Sequence, residues 1–173
     1  MEIRPLRESD DRSVFRSGDA DLDRFLHKYA GQNQFRHHIG TTYVAIEGNR
    51  VSGYATVAPG HIEIEDLPSA RRRQLPRYPL PILRLAGLAV DESFQGKGLG
   101  RQLLRFVLEL ALRMAGDFGC IGVVVDAKPM AVPFYRQFGF APFEAVEGHS
   151  LSNPPATAMF LPLREIEAAS KKR

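Results

Sequence analysis

The chain has no tryptophan and only one cysteine, Cys120, in 173 residues. No internal disulfide can form. Cys120 lies in Gly119-Cys120-Ile121-Gly122-Val123, which reads as the start of a buried strand, where a thiol is usually inert. No apolar run approaches the roughly 20 residues of a membrane helix. Met1-Glu2-Ile3-Arg4-Pro5 also lacks the apolar core of a secretory signal, so a soluble cytoplasmic protein with no membrane partner is expected. Excess charge is small too: 23 Lys and Arg against 20 Asp and Glu give +3, which permits an anionic partner without requiring one. His27, His37 and His38 have no cysteine or acid at metal-ligand spacing, and no metal is expected.

What the chain does have is enough apolar material for one core: 44% hydrophobic and 25% charged residues. There is no internal repeat, low-complexity block or domain-sized linker. Residues 1–173 are therefore expected to form a single domain, with 168–173 a frayed tail. Ile3 and Leu6 predict a short first strand. Asp19 is a suitable N-cap for a helix carrying Leu22, Phe25, Leu26 and Tyr29 at helical spacing. Thr41 to Ile46 and Val51 to Val57 are β-rich and flank the turn residues Glu47-Gly48-Asn49-Arg50, predicting a hairpin.

Leu67 to Leu75, with Arg71, Arg72 and Arg73, predicts a short exposed helix, and Pro76, Pro79 and Pro81 delay regular structure until Ile82. Ile82 to Val90 is interrupted only by Arg84 and predicts a central strand buried on both faces. Between Gly98 and Met114, the apolar residues Leu99, Leu103, Phe106, Val107 and Leu110 recur at steps of three and four, marking a core-facing helix. Ile121 to Val125 predicts a strand, Met130 to Phe138 a helix and Thr157 to Leu161 a late strand. This order implies an α/β fold with a mixed sheet flanked by helices.

The strongest chemical signal is Asp91-Glu92-Ser93-Phe94-Gln95-Gly96-Lys97-Gly98-Leu99-Gly100-Arg101, a glycine-rich turn between that strand and the long helix. Amide groups at a helix start attract phosphate oxygens, and glycines admit the backbone close to them. Gln95, Gly96, Gly98, Gly100 and Arg101 are candidates for holding a pyrophosphate. The spacing fits neither the P-loop nor the dinucleotide fingerprint.

Gln95-x-x-Gly98-x-Gly100 after a strand, followed by Ala131-x-x-Phe134-Tyr135-x-x-x-Gly139-Phe140, resembles the two signature motifs of the GNAT superfamily of N-acetyltransferases. The resemblance implies a mostly antiparallel sheet with a splayed central pair of strands and acetyl-CoA as cosubstrate. Leu88, Ala89 and Val90 would pair with the pantetheine arm. The segment from Gln95 through Gly96, Lys97, Gly98, Leu99 and Gly100 to Arg101 would take the pyrophosphate, with Lys128 and Phe134 nearby. Lys128 stands where many members carry Asn. A phenol beside the sulfur can protonate a departing thiolate, so Tyr135 is the candidate catalytic residue. Ordinary pKa values, about 10 for phenol and about 8.5 for thiol, make full transfer uphill by about 2 kcal/mol, so Tyr135 assists the step rather than driving it. Glu47, Glu63 and Asp126 read as surface acids.

Three further segments, Gly18-Asp19-Ala20-Asp21-Leu22-Asp23-Arg24-Phe25-Leu26, Tyr29-Ala30-x-Gln32-Asn33 and Thr157-Ala158-Met159-Phe160-Leu161-Pro162-Leu163, resemble the GNAT-type toxins of bacterial toxin–antitoxin pairs. That resemblance implies acetylation of the α-amino group of aminoacyl-tRNA and neutralisation by a ribbon-helix-helix antitoxin. It leaves a homodimer open. It would assign Lys28, Arg36, Arg71, Arg72 and Arg73 to tRNA phosphates. Gly87 stands where such toxins often carry Arg. Acetylation of a small-molecule or peptide amine, and a non-catalytic acetyl-CoA-binding module, remain the alternatives.

Overall fold

The computed structural model describes residues 1–63, 67, 75–77, 79–143 and 156–171. The expected helix around Arg71 to Arg73 lies outside the described residues. Seven strands hydrogen-bond in the order β1-β2-β3-β4-β5-β7-β6. They are β1 (Glu2–Pro5), β2 (Thr41–Glu47), β3 (Arg50–Ile62), β4 (Leu80–Val90), β5 (Gly122–Ala127), β6 (Ala141–Pro142) and β7 (Thr157–Pro162). The pairs β1–β2, β2–β3, β5–β7 and β6–β7 are antiparallel. The chain packs as two compact units, residues 1–58 with 85–107, and residues 59–84 with 108–173.

In the first unit, helix α1 spans 20–37. It starts where the Asp19 carboxylate accepts the N–H groups of Asp21 and Leu22 at 3.0 and 3.1 Å. Phe25–Tyr29 and Asn33–His37 are wide π turns, which the 3.6-residue periodicity did not foresee. Arg12 donates to the Leu26 carbonyl at 3.2 Å. The helix stops at His38, which adopts the left-handed conformation with φ 55°. Tyr54 of β3 fastens α1 by donating to the Leu22 carbonyl at 2.7 Å, while its ring packs on Phe15 and Phe25. Leu6, Leu26, Ala30, Val44 and Val51 complete that core, and each large buried side chain contributes about 1.5–3 kcal/mol.

The hairpin forms as expected, with Glu47 paired to Arg50 across Gly48-Asn49. Gly48, at φ 65°, supplies the positive first dihedral of a type II′ turn. Strand β3 continues past the expected Val57 to Ile62. Its β2 partners end at Val57, so the missing N–H of Pro59 is not needed on that side. A register shift near Ala45 leaves Ser52 as an extra residue, a bulge whose hydroxyl donates to the Ala45 carbonyl at 3.0 Å.

In the second unit Ile62, Leu67, Leu80, Ile82, Val124 and Phe160 form the core. Helix α2 (Leu99–Asp117) begins in the first unit and ends in this one, α3 (Val132–Gln137) follows a 3-10 turn, and α4 (Leu163–Lys171) closes the described chain. Helix α4 runs to Lys171 and buries Ile166. Cys120 sits just before β5, buried, donating its S–H to the Gly122 carbonyl at 3.2 Å; burial pushes the thiol above its ordinary pKa. Among the described residues no helix is long and apolar enough to cross a membrane.

Candidate active site

The turn that follows β4 is held by an acid to which the sequence reading gave no role. Asp91 is 3% exposed, and its N–H donates to the carbonyl of the bulged Ser52 at 2.9 Å. Its carboxylate accepts the Arg16 and Ser93 N–H groups, each at 2.9 Å, and lies 3.5 Å from the Arg50 guanidinium. Burial alone would raise this carboxyl's pKa, but the two amide bonds and Arg50 outweigh it and hold it below the ordinary value. Gln95 spends its side-chain amide on the Ser17 and Val90 carbonyls, both at 2.8 Å. Its two side-chain donors therefore tether the turn, and only its backbone N–H remains to donate to an anion.

With the turn fixed on both sides, Gly96 and Gly98 adopt φ 78° and 84°, and a Cβ at either position would meet nothing within 4 Å. Glycine is required there by backbone conformation, and the space beside it is open. Leu99 and Gly100 then begin a 19-residue helix, so their N–H groups have no carbonyl one turn back. Lys97 and Arg50 approach the ring of Phe94 at 5.8 and 5.5 Å. Open amides, a helix start and two cations suit a phosphate-bearing ligand. Arg50 escaped the sequence reading, because only the hairpin register brings the start of β3 to this turn.

Leu88, Ala89 and Val90 end the strand that feeds the turn. The expected burial of β4 on both faces holds for Ile82, Leu83 and Leu85, but beyond them only Ala89 is buried. Ala86 is exposed, and Gly87 and Leu88 are half-buried. A Cβ at Gly87 would lie 3.3 Å from Leu22 Cδ2, so α1 packs closely over this position.

Tyr135 lies on α3, 5% exposed, with its ring edge-on to Phe134 and Phe140 at 5.1 and 5.4 Å. Among the described residues its hydroxyl has no hydrogen-bond partner. Burial pushes the phenol well above its ordinary pKa, so it stays protonated across the physiological range. Lys128 precedes the 3-10 turn, and its carbonyl accepts the Ala131 and Val132 N–H groups at 2.8 and 3.2 Å.

Lys28 and Arg36 are exposed on α1. Arg71, Arg72 and Arg73 lie outside the described residues. Glu47 is exposed at the hairpin and Glu63 stands 3.9 Å from His61. Asp126 is not solitary but lies 3.4 Å from Arg84. Among the described residues no group of three or more His, Cys, Asp or Glu could hold a metal ion.

The pattern described as "Acetyltransferase (GNAT) domain" matches residues 38–142. A protein named "tRNA-acetylating toxin", from Mycobacterium tuberculosis, is 34% identical over 138 residues, 79% of this chain and 82% of that protein. The solved structure of AtaT complexed with acetyl-methionyl-tRNAfMet superposes with a TM-score of 0.84 at 26% identity, covering 97% of this chain and 98% of that one. AtaTR bound with AcCoA superposes with a TM-score of 0.79 at 27% identity, covering 97% and 96%. With a family match spanning the hairpin, the phosphate-type turn and the tyrosine helix, this chain belongs to the GNAT acetyltransferase family.

Proposed function

We propose that this N-acetyltransferase transfers acetyl from acetyl-CoA to the α-amino group of aminoacyl-tRNA, and so acts in the cytoplasm as a translation-blocking toxin. The observation that carries the reading is the similarity to the tRNA-acetylating toxin along 79% of the chain. Its antitoxin is of the ribbon-helix-helix type, as the resemblance of the three toxin-like segments implies.

Acetyl-CoA, when bound, supplies the acetyl thioester. The amides from Gly96 to Arg101 and the cations Arg50 and Lys97 receive its phosphates, and the backbone of Leu88, Ala89 and Val90 aligns its arm. Tyr135 Oη keeps its proton and donates it as a hydrogen bond towards the departing sulfur. Because burial raises the phenol further above a thiol's ordinary value, that bond rather than early proton transfer is the contribution of Tyr135. An aminoacyl α-amino group, with an ordinary pKa of about 7.7–8.0, is substantially neutral near pH 7.5 and needs little help from a base.

Lys28, Arg36 and the Arg71 to Arg73 segment supply phosphate contacts for the tRNA. The test is acetyl transfer to charged tRNA at several salt concentrations. Replacing Arg71, Arg72 and Arg73 together by Ala should raise KM for charged tRNA and flatten its salt dependence, leaving acetyl-CoA affinity unchanged. An unchanged salt slope would remove that segment from the tRNA site.

A further inference from the structure

Two ion pairs in this protein differ in kind. Arg4 and Asp10 meet through two parallel bonds of 2.8 Å, with side chains 13% and 11% exposed, and Asp10 also accepts the Arg7 N–H at 2.8 Å. That pair is closed. Arg84 and Asp126 meet once, at 3.4 Å, with side chains 31% and 36% exposed. A guanidinium has five N–H donors and a carboxylate about four acceptor sites. Among the described residues most of that capacity is unspent.

The register of the sheet places this open pair. Asp126 is partnered with Ala158, and Val124 with Phe160, so these four share one face of β5 and β7. Arg84 lies on that same side. A Cβ at Gly60 would stand 3.1 Å from Ile82 Cδ1 and 3.9 Å from Arg84 Nε, and Ile82 packs with Val124 and Phe160. Gly60 thus sits beside both Ile82 and Arg84, and a side chain there would press on Ile82. The opposite face carries Val123, Val125, Leu161 and Met159. The end of α3 lies there, since a Cβ at Gly139 would be 3.3 Å from Leu161 Cδ1. The Tyr135 helix and the Arg84–Asp126 pair thus flank β5 on opposite sides.

A nucleophile must reach the thioester carbonyl without crossing the group that receives the departing sulfur. On the acceptor reading given above, we propose that the Arg84–Asp126 pair receives the acceptor. The Asp126 carboxylate accepts the N–H groups of the α-amine, and Arg84 donates to the adjacent ester carbonyl. The pair is a specificity determinant for a primary amine beside a carbonyl.

The test measures KM and kcat for charged tRNA, acetyl-CoA affinity by calorimetry, and Tm, for the wild type, Asp126→Asn and the exchange Arg84→Asp with Asp126→Arg. Asp126→Asn should raise the acceptor KM about tenfold or more with acetyl-CoA affinity unchanged; a tenfold change corresponds to about 1.4 kcal/mol. The exchange should recover any lost Tm, because an ion pair is re-formed, without recovering KM. An unchanged KM in Asp126→Asn, or an exchange that restores KM together with Tm, would show a merely structural pair. If the wild type acetylates a different primary amine, the aminoacyl-tRNA reading falls by itself, and the same variants assayed on that amine still decide the role of the pair.

Discussion

The turn after β4 and the helix after β5 solve different chemical problems with different materials. The turn is a backbone device: Asp91, Ser52 and Gln95 use their polar groups to hold it, and the ligand is left amides and open space at Gly96 and Gly98. The α3 helix is a side-chain device, with one phenol kept neutral by burial among aromatic rings. On the proposed function, cofactor grip would therefore be spread over several small contributions, whereas the leaving-group contribution would rest on a single oxygen.

That contrast fixes how each region should fail. Tyr135→Phe keeps the ring and removes the hydroxyl, so kcat should fall by roughly 10²-fold while acetyl-CoA affinity holds, in the range of a lost hydrogen-bond donor to developing negative charge. In the wild type, kcat should show no alkaline loss from Tyr135 ionisation up to about pH 10, because burial displaces the phenol upward from its ordinary value near 10. Near-wild-type turnover in the variant would reduce Tyr135 to packing.

Asp91→Ala leaves the Arg16 and Ser93 amides without their acceptor and should cost about 1–3 kcal/mol of stability, read by chemical denaturation. The Asp91 carboxyl titrates lower when folded than when unfolded. Its contribution is therefore complete above the unfolded value of about 3.9 and is lost as pH falls through the folded one. The variant should lack that part of the acid limb of the stability profile; an unaltered limb would show that Asp91 is not a stabilising charge.

Gly98→Val forces a β-branched residue to φ 84° and should weaken acetyl-CoA binding about tenfold or more in a folded protein. Unchanged calorimetric affinity would move the phosphates elsewhere. The smallest effect is expected for Gln95→Ala, which loosens one tether of the turn. A loss of about 1 kcal/mol, roughly fivefold in acetyl-CoA affinity with kcat unchanged, would keep the two regions distinct. A large fall in kcat instead would show that the turn and the chemistry are coupled.

The parts legible in the sequence are those with local signatures. The hairpin announced itself through Gly48-Asn49, the long helix through its apolar stripe, and the phosphate-type turn through its glycines. Arg50 and the partnership of Arg84 with Asp126 were not legible, because strand register makes them, joining residues 41 or 42 positions apart. Asp91 was visible only as a turn residue; its burial depends on Ser52 and Arg16. The wide turns of α1 were hidden because Leu22, Phe25, Leu26 and Tyr29 fit an ordinary helix equally well. Strand β3 runs beyond the β-rich stretch that ends at Val57, where Ala58-Pro59-Gly60 carries no strand signature of its own and its β2 partners have ended.

The central claim is the identity of the acceptor amine, and it is tested most directly by mass spectrometry of charged tRNA after incubation with the wild-type protein and acetyl-CoA. The account predicts one added acetyl group on the α-amino nitrogen of the esterified amino acid, abolished when that nitrogen is blocked beforehand and strongly reduced in Tyr135→Phe. Unmodified aminoacyl-tRNA, together with turnover of polyamines or peptide amines under the same conditions, would contradict it.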